Sequence, residues 1–176
     1  QLTYDVTIKI EHLLRYAKHL PMLRDTGCVF VTSAVEAVQD PILQLLDKGH
    51  TRQDFLEALA LCRRIGIPLN PTFVAFTPWT TLKDYVDMFD IVETTDLIDA
   101  IDPVQYSVRL LIPPGSALLN QSEQPGSIQK FVGLLDQARF QYHWTHLDPR
   151  MDLLHQEISS AVEEAAKAGE DPVDTF

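Results

Sequence analysis

The run Cys28-Val-Phe-Val-Thr-Ser-Ala-Val-Glu36 constrains this chain more than any other stretch. It begins apolar, turns polar at its end, and stands just before a helical pattern. Val29, Phe30 and Val31 are β-branched or aromatic and too few for a helix, which suits a buried strand. Thr32, Ser33 and Glu36 then collect at the carboxyl end, where open and closed α/β folds hold their ligands. A strand of this kind needs parallel neighbours and crossover helices.

The flanking sequence supplies them. Leu2, Tyr4, Val6 and Ile8 alternate with Thr3, Asp5, Thr7 and Lys9, the period-2 signature of a strand. A helix is expected over about Glu11–Arg24, kinked or divided by Pro21, and Gly27 closes it. Asp40-Pro41 reads as a helix start, with Asp capping the free amides and Pro preset for the first turn. Ile42, Leu43, Leu45 and Leu46 bury that short helix, and Gly49 ends it. Thr51 and Asp54 form a shortened capping box for the next helix, whose inner stripe is Phe55, Leu56, Leu59 and Cys62 and whose stop is Gly66. A third strand is expected over Leu69–Phe76. It leads through Thr77-Pro-Trp-Thr-Thr81 into a helix with Leu82, Tyr85, Val86 and Phe89 on one side. A fourth strand, Gln105–Ile112, ends at Pro113-Pro-Gly115. Strands and helices thus alternate at roughly 35-residue spacing, which implies right-handed βαβ crossovers and a parallel sheet.

Beyond Asn120 the character changes. Gln121–Gly126 reads as a polar linker. Ser127 then caps an expected helix carrying Ile128, Phe131, Leu134 and Leu135. Asp148-Pro149 starts another, with Met151, Leu154, Ile158, Ala161, Val162 and Ala165 as its stripe, and residues 170–176 read as frayed. The division expected is residues 1–120 as an α/β unit and 121–176 as a helical extension. The chain lacks an initiator Met and opens at the start of a strand, so it reads as a piece of a longer protein.

Composition excludes several classes. Hydrophobic residues make up 45% of the chain, ordinary for a globular protein. A net charge of −11 with no offsetting basic stripe argues against a nucleic-acid partner. No run approaches the roughly 18 apolar residues of a membrane span. Cys28 and Cys62 form no CxxC motif and read as buried free thiols of a cytoplasmic protein.

The local phrasing is more specific than the element order. Ser33-Ala-Val-Glu36, Asp40-Pro-Ile-Leu43 and Asp47-Lys-Gly-His-Thr51 with Asp54 resemble a segment of radical S-adenosylmethionine (SAM) enzymes. In that segment a strand ends in a Gly-x-Glu-Ser-like phrase, and a leucine-rich helix and a Lys-Gly-x-Thr turn follow. Ile65-Gly-Ile-Pro-Leu69 with Thr72-Phe-Val-Ala-Phe-Thr-Pro78 is similar to the family's next strand. Val108-Arg-Leu-Leu-Ile-Pro-Pro-Gly-Ser116 is similar to a later strand that ends in Pro-x-Pro-Gly-Thr. The resemblance covers about Leu2–Leu119.

The resemblance implies a partial (β/α) TIM-type barrel with parallel strands that binds SAM and a [4Fe–4S] cluster at its top. In the family, the reduced cluster cleaves SAM to a 5′-deoxyadenosyl radical that abstracts hydrogen from a substrate. The CxxxCxxC cluster motif is absent from this chain, so it is expected to bind no cluster and to be inactive alone, as the second half of such a barrel. Related enzymes also carry an amino-terminal cobalamin domain, which adds cobalamin to the cofactors a parent could use. The substrate, small molecule or peptide, is not specified.

The resemblance also assigns candidate binding residues. Glu36 falls where the family places an acid or amide on the ribose hydroxyls. Lys48 falls where a cation meets the methionine carboxylate, a pairing favoured because a desolvated carboxylate needs a charged donor. Thr72 falls near a second ribose contact. The backbone at Phe76-Thr77-Pro78 falls near the adenine, although Phe76 replaces the usual Gly. Ser33 belongs to the same strand end, and Arg109 is an inward-pointing candidate on the fourth strand. Structural roles compete with each: Glu36 beside a helix dipole, Lys48 at a helix carboxyl end, Arg109 paired with a core-edge acid.

The tail phrase His143-Trp-Thr-His146-Leu-Asp148, with Asp152 and His155, holds metal-ligating types. Asp148 is already committed as a helix cap, and no third ligand is compelled, so no metal site is assigned. Two rival functions remain beside the radical SAM reading. Another barrel enzyme would need a catalytic Lys or a glycine-rich phosphate loop, and a non-catalytic module would use the acidic tail for docking. A half-barrel also leaves the Leu2–Ile8 strand with an open edge. That edge is expected either to self-associate or to be covered by the carboxyl-terminal helices.

Overall fold

The structure, a computed structural model, describes residues 2–120 and 126–176. Most of the linker expected at Gln121–Gly126 lies outside the described residues. Three parallel strands, β1 (Tyr4–Thr7), β2 (Cys28–Glu36) and β3 (Leu69–Phe73), form one sheet in that order. Helices α1 (Ile10–Arg15) and α2 (Leu20–Thr26) connect β1 to β2. The second crossover is α3 (Asp40–Leu45) and α4 (Arg52–Ile65), and α5 (Leu82–Thr94) follows β3. Pro21 does not kink one long helix: it opens α2, and the break lies at a 3-10 turn over Ala17–His19.

The local signals act largely as expected. Thr51 caps α4 and Thr81 caps α5, each through a reciprocal box with the Asp three residues on. Gly27 adopts φ 106°, and a Cβ there would stand 2.6 Å from the Leu2 carbonyl oxygen, so only glycine fits the α2–β2 turn. Asp40 is a correction. Gln39 takes the cap position of α3 with no side-chain bond, while Asp40 Oδ1 accepts from the Arg52 amide at 2.7 Å. Asp40 therefore caps the first turn of the following helix. Val86 also departs from its expected apolar face and is exposed, its place taken by Met88, Ile91 and Val92.

One face of the sheet carries the core. Val31, Ser33 and Val35 on β2 and Leu69, Pro71 and Phe73 on β3 are buried, and Phe73 meets Phe55 of α4 edge to face at 6.3 Å. The opposite face is only half-buried. Because side chains alternate along a strand, it carries Thr7, Thr32 and Asn70 in one row across the three strands, then Ala34 and Thr72 in the next. Fully covered parallel strands would be apolar on both faces; these are not.

Beyond β3 the expected fourth strand is reduced. Pro103–Ser107 form a 3-10 turn, and strand-like pairing survives as a parallel bridge between Phe76 and Arg109. Phe76 N–H donates to the Val108 carbonyl at 3.0 Å, and Leu110 N–H to the Phe76 carbonyl at 2.8 Å. The expected helix at Ser127–Leu135 is instead a 3-10 turn followed by an antiparallel hairpin, β4 (Val132–Asp136) with β5 (Gln141–Trp144). Tyr142 N–H donates to the Ile112 carbonyl at 2.8 Å, which fastens the hairpin to the end of the fourth segment. The long helix α6 (Pro149–Ala168) packs on the Pro103–Ser107 turn, and α7 (Pro172–Thr175) follows. The end is not frayed: Phe176 stacks at 5.2 Å on Phe89 and 5.7 Å on Tyr106. No helix among the described residues is long and apolar enough to cross a membrane.

Candidate binding site at the strand ends

β2 ends on Glu36, whose φ of 70° lies in the left-handed region. The register with β3 shifts between Ala34 and Glu36, so the chain swings out of the sheet there. Val74 N–H still donates to the Glu36 carbonyl at 2.9 Å, which holds the bend. The α3 helix then returns the chain over the strand end. Its exit turn is closed by Lys48 N–H donating to the Leu43 carbonyl at 3.1 Å.

That turn brings two of the sequence candidates together. Lys48 Nζ donates to Glu36 Oε1 at 3.1 Å, with side chains 21% and 22% exposed. An ammonium has three donors and a carboxylate two acceptor oxygens. The pair therefore retains two N–H groups and one oxygen for a ligand. His50 closes the same turn from beneath, buried, with Nδ1 3.4 Å from the Lys48 carbonyl. Burial lowers the His50 pKa below the ordinary imidazole value, against the Lys48 and Val35 carbonyls, which favour the protonated ring.

The remaining candidates divide between the two faces. Thr72 lies on the uncovered face beside Ala34. Ser33 lies on the covered face, fully buried, its Oγ without a hydrogen-bond partner. Thr77 is buried and serves its own turn: its Oγ1 lies 2.8 Å from Thr80 Oγ1 and accepts from the Trp79 amide. Arg109 pairs with an acid, as its competing structural role expects. Its Nη2 donates to the Trp144 carbonyl at 2.9 Å and lies 2.8 Å from Asp152 Oδ1 of α6, and its guanidinium stacks 3.6 Å above the Trp144 ring. An arginine bonded and stacked in this way joins the fourth segment to the hairpin and α6.

The tail residues do not converge. His143 Nε2 lies 3.3 Å from Asp136 on the hairpin. His146 donates its backbone amide to Asp152, and His155 packs against the Phe76 ring at 4.9 Å. Among the described residues no three His, Cys, Asp or Glu side chains gather as a metal site. The thiols do not suit a cluster either. Cys28 donates to the Phe30 carbonyl, and burial raises both thiols, Cys62 to about 11. A thiol must lose its proton to ligate iron, so the residues present do not fit a [4Fe–4S] cluster. An acid, a cation and a hydroxyl do stand at the carboxyl ends of parallel strands, groups able to bond hydroxyls and a carboxylate.

Sequence reasoning singled out Thr32 but passed over His50 and the partners of Thr32 in its row, Thr7 and Asn70. Alternation along β2 carried a signal for the row, since Thr32 and Glu36 fall out of phase with Val31, Ser33 and Val35.

No protein-family model matches the chain. Two curated relatives are tRNA-2-methylthio-N(6)-dimethylallyladenosine synthases. That of Sulfurihydrogenibium sp. is 23% identical over 155 residues, 85% of this chain and 34% of the relative. That of Moorella thermoacetica is 33% identical over 87 residues, 48% of this chain and 19% of the relative. The chain thus spans about a third or less of the relatives it matches. Among solved structures, the cobalamin-dependent S-adenosylmethionine radical enzyme OxsB, with aqua-cobalamin and SAM bound, superposes with a TM-score of 0.74 at 13% identity, covering 94% of this chain and 29% of that one. The OxsB form with aqua-cobalamin alone gives 0.69 over the same shares. Strand phrases, relatives and fold agree: this chain is related to the radical SAM superfamily.

Proposed function

We propose that this chain forms part of the SAM-binding wall of a radical SAM enzyme, as an arc of a (β/α) barrel, and has no activity by itself. The observation that supports this reading is the Glu36–Lys48 pair, drawn together at the carboxyl end of β2 beside a half-buried polar face. In the proposed arrangement the free Glu36 oxygen accepts from the ribose hydroxyls and the spare Lys48 donors meet the methionine carboxylate. Thr72 adds a neutral hydroxyl contact from β3. Partial burial keeps these interactions out of bulk water, where each is worth little. SAM supplies the radical precursor when bound; the residues of this chain only hold and orient it. The cluster belongs to residues other than those described, and OxsB supports cobalamin as a further cofactor of the parent.

The net charge of −11 gives the chain no electrostatic hold on a phosphate backbone. The proposal therefore covers the SAM side of the pocket and leaves the substrate of the tRNA-modifying relatives to them.

The test is a titration of the isotopically labelled chain with SAM, followed by amide and side-chain NMR. Shifts centred on Glu36, Lys48 and Thr72, weakened in Glu36→Gln, are expected, with no 5′-deoxyadenosine formed under reducing conditions. Shifts confined to other residues overturn the pocket assignment, and formation of 5′-deoxyadenosine overturns the inactivity.

A further inference from the structure

We propose that His50 is the positioning residue of the Glu36–Lys48 pair, a neutral imidazole wedged between the end of β2 and the turn that carries Lys48. The inference rests on the pocket reading above for its purpose, but its geometry stands separately. His50 is 8% exposed in a turn whose other members, Asp47, Lys48, Gly49 and Thr51, all reach solvent. A polar side chain buried inside an otherwise wet turn needs a reason.

Its two ring nitrogens supply one. Nδ1 stands 3.4 Å from the carbonyl of Lys48, the residue it would position. The second carbonyl acting on the ring belongs to Val35, the residue immediately before Glu36. The imidazole thus lies between backbone groups adjoining both members of the pair, which come from elements separated by α3. Nε2 is shielded from water and makes no hydrogen bond of normal geometry. A neutral ring carries one N–H and one bare nitrogen, so the tautomer with the proton on Nδ1 satisfies the Lys48 carbonyl and leaves Nε2 as the uncharged end.

The surroundings favour that neutral form. Lys48 is the cation beside the ring and opposes a second positive charge, while Asp54, from the first turn of α4, favours it. Burial is the largest influence and acts with Lys48, and it outweighs the Lys48 and Val35 carbonyls, which favour the protonated ring. A proton added to Nε2 would place a buried charge next to the Lys48 ammonium. The turn would have to open to hydrate it, and Lys48 would move with the turn.

Two substitutions separate this role from simple packing. His50→Phe keeps an aromatic ring and removes both nitrogens, whereas His50→Asn keeps a donor near the position of Nδ1. The primary readout is the side-chain ammonium of Lys48, observed by nitrogen-detected NMR, which needs no ligand. In the wild type the ammonium is expected to be ordered and slow to exchange. In His50→Phe it is expected to become mobile and fast-exchanging, with the amide spectrum of β2 and β3 unchanged, and His50→Asn restores order. Acidifying the wild type is expected to mobilise Lys48 reversibly before the β2 amides change. SAM affinity should fall roughly three- to tenfold in His50→Phe, the range expected for one lost hydrogen bond in a positioning contact.

An unchanged Lys48 ammonium in His50→Phe overturns the inference. If that variant does not fold, the asparagine variant and the wild-type acid titration decide: loss of Lys48 order in the asparagine variant, or acid mobilisation only together with the β2 amides, overturns it equally. If Lys48 loosens as expected while SAM affinity stays constant, the positioning role stands and the SAM-pocket reading fails.

Discussion

At the residue scale the most informative position is Glu36. A non-glycine residue in the left-handed region carries a cost of roughly 1–2 kcal/mol, and nothing in the sequence around Glu36 announces one. Asp47, Asp96 and Phe140 share the conformation, but they lie in turns, whereas Glu36 is the last residue of a central strand. The backbone there is held by the register shift against β3 and by the Val74 amide, and the carboxylate is delivered to Lys48. A comparison of two truncations isolates the strain. Glu36→Ala and Glu36→Gly both lose the ion pair, yet only glycine relaxes the positive φ. Glu36→Gly is therefore expected to be more stable than Glu36→Ala by about 1 kcal/mol, read as a difference in urea midpoint at constant slope. Equal midpoints would show that the conformation stores no strain.

At the element scale the crossovers were legible because their signals are local. Thr51 with Asp54, the glycines closing α2 and α4, and the alternation in β1 and β2 all act within a few residues. The hairpin was not legible for the opposite reason. Ile128, Phe131, Leu134 and Leu135 have helical spacing, but Gly133 sits among them, and their partner strand Gln141–Trp144 lies beyond a turn. Leu134 ends 86% exposed while Ile128 is buried, so the apparent stripe does not form one face. Likewise the partners of Arg109, on α6 and the hairpin, lie far along the chain.

The edge of β1 is the second matter at this scale. Of the two outcomes expected for it, α6 packs instead on the Pro103–Ser107 turn, beyond β3 and at the other side of the sheet. Tyr4 and Ile8 direct their amides toward β2, so by alternation those of Asp5 and Thr7 point to the edge that no strand among the described residues pairs. We propose that this edge mediates self-association. Sedimentation velocity should show a concentration-dependent dimer that Thr7→Pro abolishes, since proline there removes an outward amide and no bond of the sheet. A wild type monomeric at all concentrations sinks the idea.

At the scale of the whole molecule, one buried and one half-buried histidine link separate regions to one pH response. His50 stands under the Lys48 turn, and His155 of α6 lies against Phe76, where burial first and Arg109 second lower its pKa. Both folded values lie below the ordinary 6.5 while the unfolded chain titrates near it. The unfolded state thus binds more protons in that window, and acid favours unfolding. Stability is expected to be complete above about pH 6.5 and to decline as pH falls from there through the lowered folded values. Urea midpoints between pH 7.5 and 5 check this, and removing both histidines should flatten the decline. A profile equally steep in that double variant would assign it to other groups.

Sequence alone determined what short-range chemistry can specify. Strand periodicity, helix caps and turn glycines act between neighbours, and they carried the parallel α/β order and the phrases shared with radical SAM enzymes. Tertiary structure decided which candidates meet. Glu36 and Lys48 face each other because α3 folds back over β2, and Ser33 is withdrawn because strand alternation turns it toward the helices. Arg109 is claimed by Trp144 and Asp152, residues more than thirty positions away. Contacts over such separations depend on where whole elements pack, and no local pattern encodes that.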